Sequence, residues 1–383
     1  VSAATTAALA AVVSANAAIT AAVAARKKRG ARVLAGAPAA HGYTFPAEWA
    51  PHAGTWISWP RPEGISFPGF YHRAIKDVAR VVDAISTFEP VFINVPNANY
   101  ERLVRETLRE AGTRLSKVTF HHIPTNECWA RDHGPAFVQR TRRGRVETAV
   151  VDWGFNAWGG KYPPWDADDA VPSRVAAALG LPVFHADIVM EGGAIDVNGE
   201  GTLLTTTSCL LHKNRNPRKS KAEIEAYLKA YYGQRHVIWL GEGIAGDDTD
   251  GHVDDLARFI GPATIVTAVE TDRSDANFTV LADNRRRLDK ARDADGRPFT
   301  IVELPMPRPV VFEGQRLPAT YVNFLFVNGG LLVPTFGDKV RDRQALSTLQ
   351  RALPGRRVVG VDCRALIWGL GAIHCLTQQQ PRG

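Results

Sequence analysis

The 383-residue sequence predicts an α/β protein in which one supersecondary unit recurs and closes on itself, a ring or propeller of five units. Three observations predict it: glycine-containing turns between apolar runs, the near-even spacing of those turns, and helix-period stretches lying between them. Apolar run, tight turn and second apolar run recur over 136–153 around Arg143-Gly144 and over 194–206 around Asn198-Gly199-Glu200-Gly201. They recur again over 256–269 around Gly261-Pro262 and over 323–335 around Asn328-Gly329-Gly330. Asn-Gly between alternating apolar residues is the strongest short-range hairpin signal. With Phe137, Ile195, Phe259 and Phe324 as markers, the spacings are 58, 64 and 65 residues. Apolar residues at helical spacing fall between hairpins, at 172–179 and 221–231. Two further units fit at the ends. One runs from 54–59 through a helical stretch at 71–87 to a strand at 90–95, and the other covers 357–361 and 365–376. Pairing between the two ends makes the unit count five. A two-domain α/β protein would contain the same elements but would not explain their spacing.

Composition bounds the function classes. With 45% apolar and 22% charged residues the chain has the make-up of a soluble globular protein. Its net charge of +7 raises the question of nucleic acid, but the basic residues are dispersed in short runs such as Arg285-Arg286-Arg287. A nucleic-acid binder concentrates charge and interleaves aromatics along one element. Positive charge also repels a cationic ligand, so a cation site here needs its own carboxylates. The four cysteines, Cys128, Cys209, Cys363 and Cys375, form no CxxC pair. That excludes a disulfide scaffold, offers no zinc-ligand spacing, and points to a reducing, cytoplasmic compartment. Residues 1–25 carry no charge and are rich in alanine, followed at once by Arg26-Lys27-Lys28-Arg29. A secretory signal has its positive residues before the apolar stretch. Residues 1–42 are therefore expected to be a disordered extension, with a truncated signal or anchor as the alternative, and residues 43–383 to be a single domain.

Each unit carries unusual polar residues at the start of its hairpin: Trp129-Ala130-Arg131-Asp132, Glu191-Gly192-Gly193, Asp250-Gly251-His252-Val253-Asp254, Tyr321-Val322-Asn323 and Gly371-Ala372-Ile373-His374-Cys375. In a pseudo-symmetric ring, equivalent positions converge on the axis, which turns scattered motifs into one pocket. His252 and Asp254, two residues apart, would share a face of a strand and suit general acid/base work or metal binding. Arg131-Asp132 alone reads as a surface ion pair, and Glu191 as a turn cap or, beside two glycines, a point of close ligand approach. Cys375 in an apolar strand reads as a core thiol, and His374 would face away from it. The run Asp247-Asp248-Thr249-Asp250 reads as a solvated turn.

These motifs, in this order, resemble the agmatine deiminase family, which also includes Porphyromonas-type peptidylarginine deiminases. The matching stretches include Phe45-Pro46-Ala47-Glu48-Trp49, Trp129 through Pro135, Trp153 through Gly160, Glu191-Gly192-Gly193, Gly199-Glu200-Gly201-Thr202, Asn214-Arg215-Asn216-Pro217, Gly251-His252-Val253-Asp254 and Ile373 through Gln379. The similarity covers residues 43–381. It implies a five-bladed α/β propeller of pentein type with pseudo-fivefold symmetry. By resemblance, Cys375 is the nucleophile, His252 the general acid/base, and Asp132 and Asp254 the guanidinium carboxylates. Trp129 then lines the pocket, and Glu191 and Asn323 lie at substrate-binding positions. The implied substrate is a small cationic guanidino compound, with no metal or organic cofactor, no nucleic acid and no membrane; a homo-oligomer is compatible with the sequence. The loops depart from the family's usual forms at Gly369-Leu370-Gly371-Ala372, Thr249-Asp250-Gly251-His252 and Glu191 through Asp196. The resemblance implies hydrolysis of agmatine to N-carbamoylputrescine and ammonia through a covalent cysteine intermediate, with peptidylarginine or free arginine as the alternative substrate. An amidinotransferase would use the same residues with an amine replacing water. A catalytically silent binding propeller would have no reason to carry Cys375, His252, Asp132 and Asp254 together.

Overall fold

A hairpin needs only a short turn, whereas a parallel strand must be reached by a long crossover, commonly a helix. The chain uses both in alternation. The computed structural model of the protein describes residues 30–383. Its first sheet contains β1 (His52–Ser58), β2 (Val91–Val95) and β3 (Val118–His122). The second holds β4 (Ala136–Arg142), β5 (Arg145–Gly154) and β6 (Val183–Val189), and the third β7 (Asp196–Val197), β8 (Thr202–Thr206) and β9 (His236–Leu240). The fourth has β10 (Ala257–Gly261), β11 (Thr264–Val269) and β12 (Thr300–Pro305). A separate small hairpin, β13 (Val311–Phe312) and β14 (Gln315–Arg316), precedes the last sheet of β15 (Leu325–Val327), β16 (Gly330–Thr335) and β17 (Arg357–Asp362). β18 (Thr377–Pro381) returns to pair antiparallel with β1, tying the C-terminal end to the N-terminal sheet.

In each of the three-stranded sheets the first two strands are antiparallel and the third runs parallel to the second. Apolar residues face one another across the hairpins, as in Phe137 opposite Val150, Val197 opposite Leu203, Phe259 opposite Ile265 and Leu325 opposite Leu332. Such cross-strand pairs fix the register, because a one-residue slip would turn every core side chain outward. The β4–β5 turn places both Arg143 (φ 52°) and Gly144 (φ 73°) in the left-handed region that tight two-residue hairpins require. The crossovers are helices over Tyr71–Ser86, Ala98–Glu110, Val171–Leu179, Lys221–Tyr232, Phe278–Lys290 and Lys339–Ala352. The Lys221–Tyr232 helix starts with a reciprocal Ser220–Glu223 capping box and buries Ile224, Leu228 and Tyr232, one face at a spacing of four residues. Full burial of such a side chain stabilises by about 1.5–3 kcal/mol.

The expected hairpins and crossover helices appear within a residue or two of their sequence positions. The alanine-rich stretch and basic cluster through Arg29 lie outside the described residues. Just after them the expectation of a disordered extension through residue 42 is corrected: the chain runs beside β6, where Leu34 N–H donates to the Val183 carbonyl at 2.8 Å and Val183 N–H to the Arg32 carbonyl at 2.9 Å, and then forms a 3₁₀ turn over Pro38–His41. Among the described residues no helix is long and apolar enough to cross a membrane.

What positions the site is a tight turn just before the leading strand of each sheet. A helical turn over Ala130–His133 precedes β4, 3₁₀ turns over Gly192–Ala194 and Val253–Asp255 precede β7 and β10, and a helical turn over Ile373–Leu376 precedes β18. Two local expectations are corrected here. Cys375 and His374 stand on a helical turn rather than a strand, so they need not point in opposite directions. His252 is the residue leading into a 3₁₀ turn, and its proximity to Asp254 comes from that turn rather than from strand alternation.

Candidate active site

A cavity of ≈ 510 Å³ opens between these turns, with Cys375, Asp132, Trp129 and Trp158 among its lining residues. The rest of its wall is largely apolar and aromatic, including Phe67, Phe70, Phe312 and Trp368, with Tyr162, Asp248 and Glu313 adding polar groups. Phe70, Phe312 and Trp368 pack against one another, Phe312 stacked on Trp368 at 4.7 Å and Phe70 edge-on to both. The β13–β14 hairpin thereby becomes one wall of the cavity.

Each carboxylate at the base is held by named donors. Asp132 accepts from Trp158 Nε1 at 2.9 Å and from the Gly193 backbone N–H at 3.0 Å. Asp254 Oδ2 accepts from His374 Nδ1 at 2.6 Å and Asn323 Nδ2 at 3.3 Å, and lies 3.7 Å from Cys375 Sγ. Asp254 Oδ1 makes no hydrogen bond in the protein, and neither ring nitrogen of His252 does. His252 is fully buried, with Nδ1 3.7 Å from Asp132 and 4.0 Å from Asp254, and Nε2 3.8 Å from Glu191. Buried polar atoms are nearly always hydrogen-bonded, so unpartnered atoms gathered between two carboxylates mark a place for a ligand. Glycine makes this crowding feasible. A Cβ on Gly193 would stand 2.5 Å from His252 Nδ1 and 2.9 Å from Asp132, and one on Gly371 2.9 Å from the Cys375 Cβ.

The electrostatics follow from burial and mutual charge. Burial pushes the Asp132 carboxyl up to about 6, opposed by His252 and reinforced by the charge on Asp254. Burial works against Asp254 too, but the His374 hydrogen bond and charge outweigh it and hold that carboxyl below its ordinary value. Asp255, beside Asp254 and bonded to Asn323 Nδ2 at 3.0 Å, is driven well above the usual range by burial and by its acidic neighbours Asp254 and Asp247. Desolvation disfavours a charged His252, yet Asp132, Cys209 and Glu191 outweigh it and keep the imidazole well above its ordinary value. Cys375 is raised well above a free thiol by burial and then by Asp254, Asp255 and Asp132. In the ligand-free protein the site therefore combines a thiol, an imidazolium and ionised carboxylates.

Two buried trios bring ligand-type atoms within 4.8 Å of one another, Glu191–Cys209–His252 and Asp254–Asp255–Cys375. Neither donor set fits a cation. Arg215 Nε already donates to Glu191 at 2.7 Å, and Asn323 Nδ2 points into the second trio, 3.0 Å from Cys375 Sγ.

Among the sequence-predicted residues, Cys375, Asp132, Asp254, His252 and Asn323 are brought together in this way, and Trp129 lines the cavity. Trp129 packs 6.0 Å from Phe67 and donates through Nε1 to Ser66 at 2.8 Å. Glu191, fully buried, lies behind His252 with Arg215 rather than in the cavity wall. Arg131 forms no surface pair with Asp132: it is buried, bonded to Gln379 Oε1 at 2.7 Å and 3.5 Å from Glu48. The acidic run is a braced, half-buried loop rather than a solvated turn. Asp247 accepts from Thr249 and Gly251, Asp248 from Tyr162 and Lys161, and Asp250 from Arg215, Asn214 and Lys161. Glu48, Trp158, Arg215, Asp255 and His374 acquire roles that residue-by-residue reading did not give them. The available signal was a charged residue inside an apolar stretch, as at Glu48 beside Ala47 and His374 beside Ile373.

The chain matches the family model described as Porphyromonas-type peptidyl-arginine deiminase over residues 44–381. It is 41% identical over 368 residues to an agmatine deiminase of Ectopseudomonas mendocina, covering 90% of this chain and 97% of that protein. It is 38% identical over 377 residues to an agmatine deiminase of Medicago truncatula, covering 91% and 99%. Among solved structures, the agmatine deiminase of Enterococcus faecalis superposes with a TM-score of 0.82 at 34% identity, covering 92% of this chain and 100% of that one. A C. jejuni agmatine deiminase with substrate bound gives 0.80 at 32% identity, covering 89% and 97%.

Proposed function

The chain belongs to the Porphyromonas-type peptidyl-arginine deiminase family, and from that premise we propose that it hydrolyses agmatine to N-carbamoylputrescine and ammonia through a covalent intermediate on Cys375. The observation that carries the chemistry is a thiol and a carboxylate, Cys375 and Asp132, in the wall of one cavity, with the Asp254 carboxylate 3.7 Å behind the thiol and the unpartnered His252 imidazole 3.7 Å behind Asp132. Asp132 and Asp254 bind the planar guanidinium edges through charge-assisted hydrogen bonds. Their charges raise the Cys375 thiol in the free enzyme, and the bound cation reverses that field, so substrate binding releases the thiol proton. The thiolate forms a C–S bond to the guanidinium carbon. His252, held protonated by its acidic neighbours, gives its proton to the departing nitrogen, the C–N bond breaks and ammonia leaves. The neutral imidazole then takes a proton from water as its oxygen bonds to the amidino-thioether carbon; the C–S bond breaks to return the thiolate, and the remaining hydroxyl proton passes to solvent, leaving the neutral ureido product. Glu191 is assigned to hold His252 from behind, Asn323 to hold Cys375 and Asp254, and Trp129 to close the cavity over the guanidinium.

The wall of the cavity favours agmatine over arginine. Among the described residues Asp132, Asp248 and Glu313 line it and no lysine or arginine does, so an α-carboxylate would enter unpaired beside carboxylates. The repeated strand order and the β18–β1 pairing support closure as a five-bladed propeller with pseudo-fivefold symmetry. We assign residues 43–383 to that single domain. Four free, buried cysteines support a reducing, cytoplasmic setting.

The test is ureido-product and ammonia release from agmatine, free arginine and an arginyl peptide. Agmatine is expected to be turned over with the highest kcat/KM, and Cys375→Ala to abolish turnover. Undiminished activity in that variant sinks the mechanism, and a preference for the peptide replaces the substrate.

A further inference from the structure

Cys375 is preceded by a histidine whose surroundings differ from those of every other group at the site. His374 is 2% exposed, and both of its ring nitrogens meet a carboxylate oxygen: Nδ1 to Asp254 Oδ2 at 2.6 Å and Nε2 to Glu48 Oε2 at 2.8 Å. Glu48 has every reason to be ionised. Its Oε2 also accepts from Arg258 Nη2 at 2.7 Å, its Oε1 accepts from the Phe326 backbone N–H at 2.8 Å, and Arg131 stands 3.5 Å away. Asp254 Oδ2 accepts from Asn323 Nδ2 as well. An ionised carboxylate has no proton to give, so each ring nitrogen must donate, and a neutral imidazole carries only one N–H.

We propose that His374 is a fixed imidazolium, clamped between Glu48 and Asp254, that acts as a positioning residue: it keeps Asp254 ionised and turns the free Oδ1 toward the guanidinium. The role rests on the guanidine-hydrolase reading of the site. The turn that carries His374 is itself tied down, because the His374 backbone N–H donates to Asn323 Oδ1 at 3.0 Å and its carbonyl accepts from Thr377 Oγ1 at 3.2 Å. The charged and titratable groups facing this ring and its two partners are Glu48, Asp254, Arg131, Arg258, Asp255, Asp132, His252 and Cys375, with Asp196 across Arg258. Asp254 lies near Asp132, and the two charges oppose one another. His374 is the cation in direct contact with this carboxylate, with His252 at 4.0 Å and Arg258 behind Glu48 adding to it, so its loss weakens the hold on the charge that Asp254 needs to pair with a guanidinium. Glu48 in turn is the anchor: it ties the segment before β1 to Arg258, Phe326 and His374 at once. The chain thereby extends the site by one layer, in the order Arg258, Glu48, His374, Asp254, substrate.

Nitrogen NMR of the full chain with labelled histidine reads the protonation state directly, with the His374 signals assigned by their loss in His374→Asn. Both ring nitrogens are expected to stay protonated across the pH range of activity, and Glu48→Gln to leave one of them unprotonated at the alkaline end. The kinetic arm uses two isosteres: His374→Asn keeps an amide donor near Asp254, whereas His374→Gln keeps one near Glu48. His374→Gln is expected to lower kcat/KM for agmatine by about 10–100-fold, the usual cost of losing a group that orients a site residue, mostly through KM. Asp254, no longer held ionised, then loses its charge at a higher pH, so the acidic limb of kcat/KM moves upward; His374→Asn shows the smaller change in KM. A merely structural residue would reduce folded enzyme without moving KM or the limb. An unprotonated ring nitrogen on wild-type His374 at neutral pH overturns the proposal, as does a wild-type KM and pH limb in both isosteres. Failure of the hydrolase reading shows separately, as a wild-type enzyme that releases no ureido product, while the NMR result still reports on His374.

Discussion

Two fully enclosed histidines face the same carboxylate from different turns, and their surroundings are opposite. His374, on the turn before β18, has each ring nitrogen in a short hydrogen bond to an acid. His252, on the turn before β10, touches Asp132, Asp254 and Glu191 only at 3.7–4.0 Å and makes no hydrogen bond through its ring nitrogens. A proton held at both ends by ionised acceptors is not available for transfer, whereas an imidazolium kept charged by a field, with its donors unengaged, can give a proton to a leaving group and take one back. Burial alone distinguishes neither. The distance to the partners is what assigns the holding role to His374 and the proposed acid/base role to His252.

The largest effect separates them outright. His252→Gln removes the acid/base and is expected to lower kcat by about 10²–10⁴-fold, against the smaller, KM-weighted loss assigned to His374. Equal losses in kcat for the two positions would erase the distinction. The next concerns Asp132, the acid that faces His252 but not His374. Its carboxyl, pushed up to about 6, must be ionised to bind a cation, so kcat/KM for agmatine is expected to fall as pH drops through about 6 and to be flat just above it. Asp132→Asn should remove that limb and cost about 10²-fold in kcat/KM, the order of two lost charge-assisted bonds at about 1.5 kcal/mol each. A pH–rate profile with an unmoved limb in the variant would assign the ionisation to another group. The smallest effect is at Glu191, which backs His252 through Nε2. Glu191→Gln leaves a polar group of the same size there but removes charge that keeps His252 protonated. The alkaline limb of kcat is expected to move down in pH, with a loss of about tenfold at neutral pH. A change in KM alone would instead make Glu191 a substrate contact.

Legibility followed the range of the interaction. Hairpin turns and crossover helices depend on residues within a few positions of one another, and Asn-Gly turns, apolar alternation and helical spacing can be read directly. The recurrence of polar residues before each leading strand was legible for the same reason, and it put Asp132, Glu191, His252, Asn323 and Cys375 on comparable turns. Periodicity failed at Cys375, where a stretch as short as Ile373 through Leu376 fits a strand and a helical turn equally well. Strand alternation would separate His374 from Cys375, while the observed turn lets the ring reach Asp254 and the thiol reach the cavity. The acidic loop failed for another reason: its partners Lys161, Tyr162 and Arg215 are far away in sequence, so nothing local marked it as braced.

By itself, the sequence determined the repeating unit, the turns that open each sheet and the residue types gathered on them. Those are set by backbone preferences and side-chain chemistry, which act over short stretches of chain. Only the tertiary structure decided the state of each group. Whether a carboxylate is ionised, a thiol protonated or an imidazole clamped depends on charges within a few ångströms that the chain brings in from Glu48, Asp254 and His374. The fold sets those distances, and electrostatic energy depends on distance and burial rather than on sequence separation.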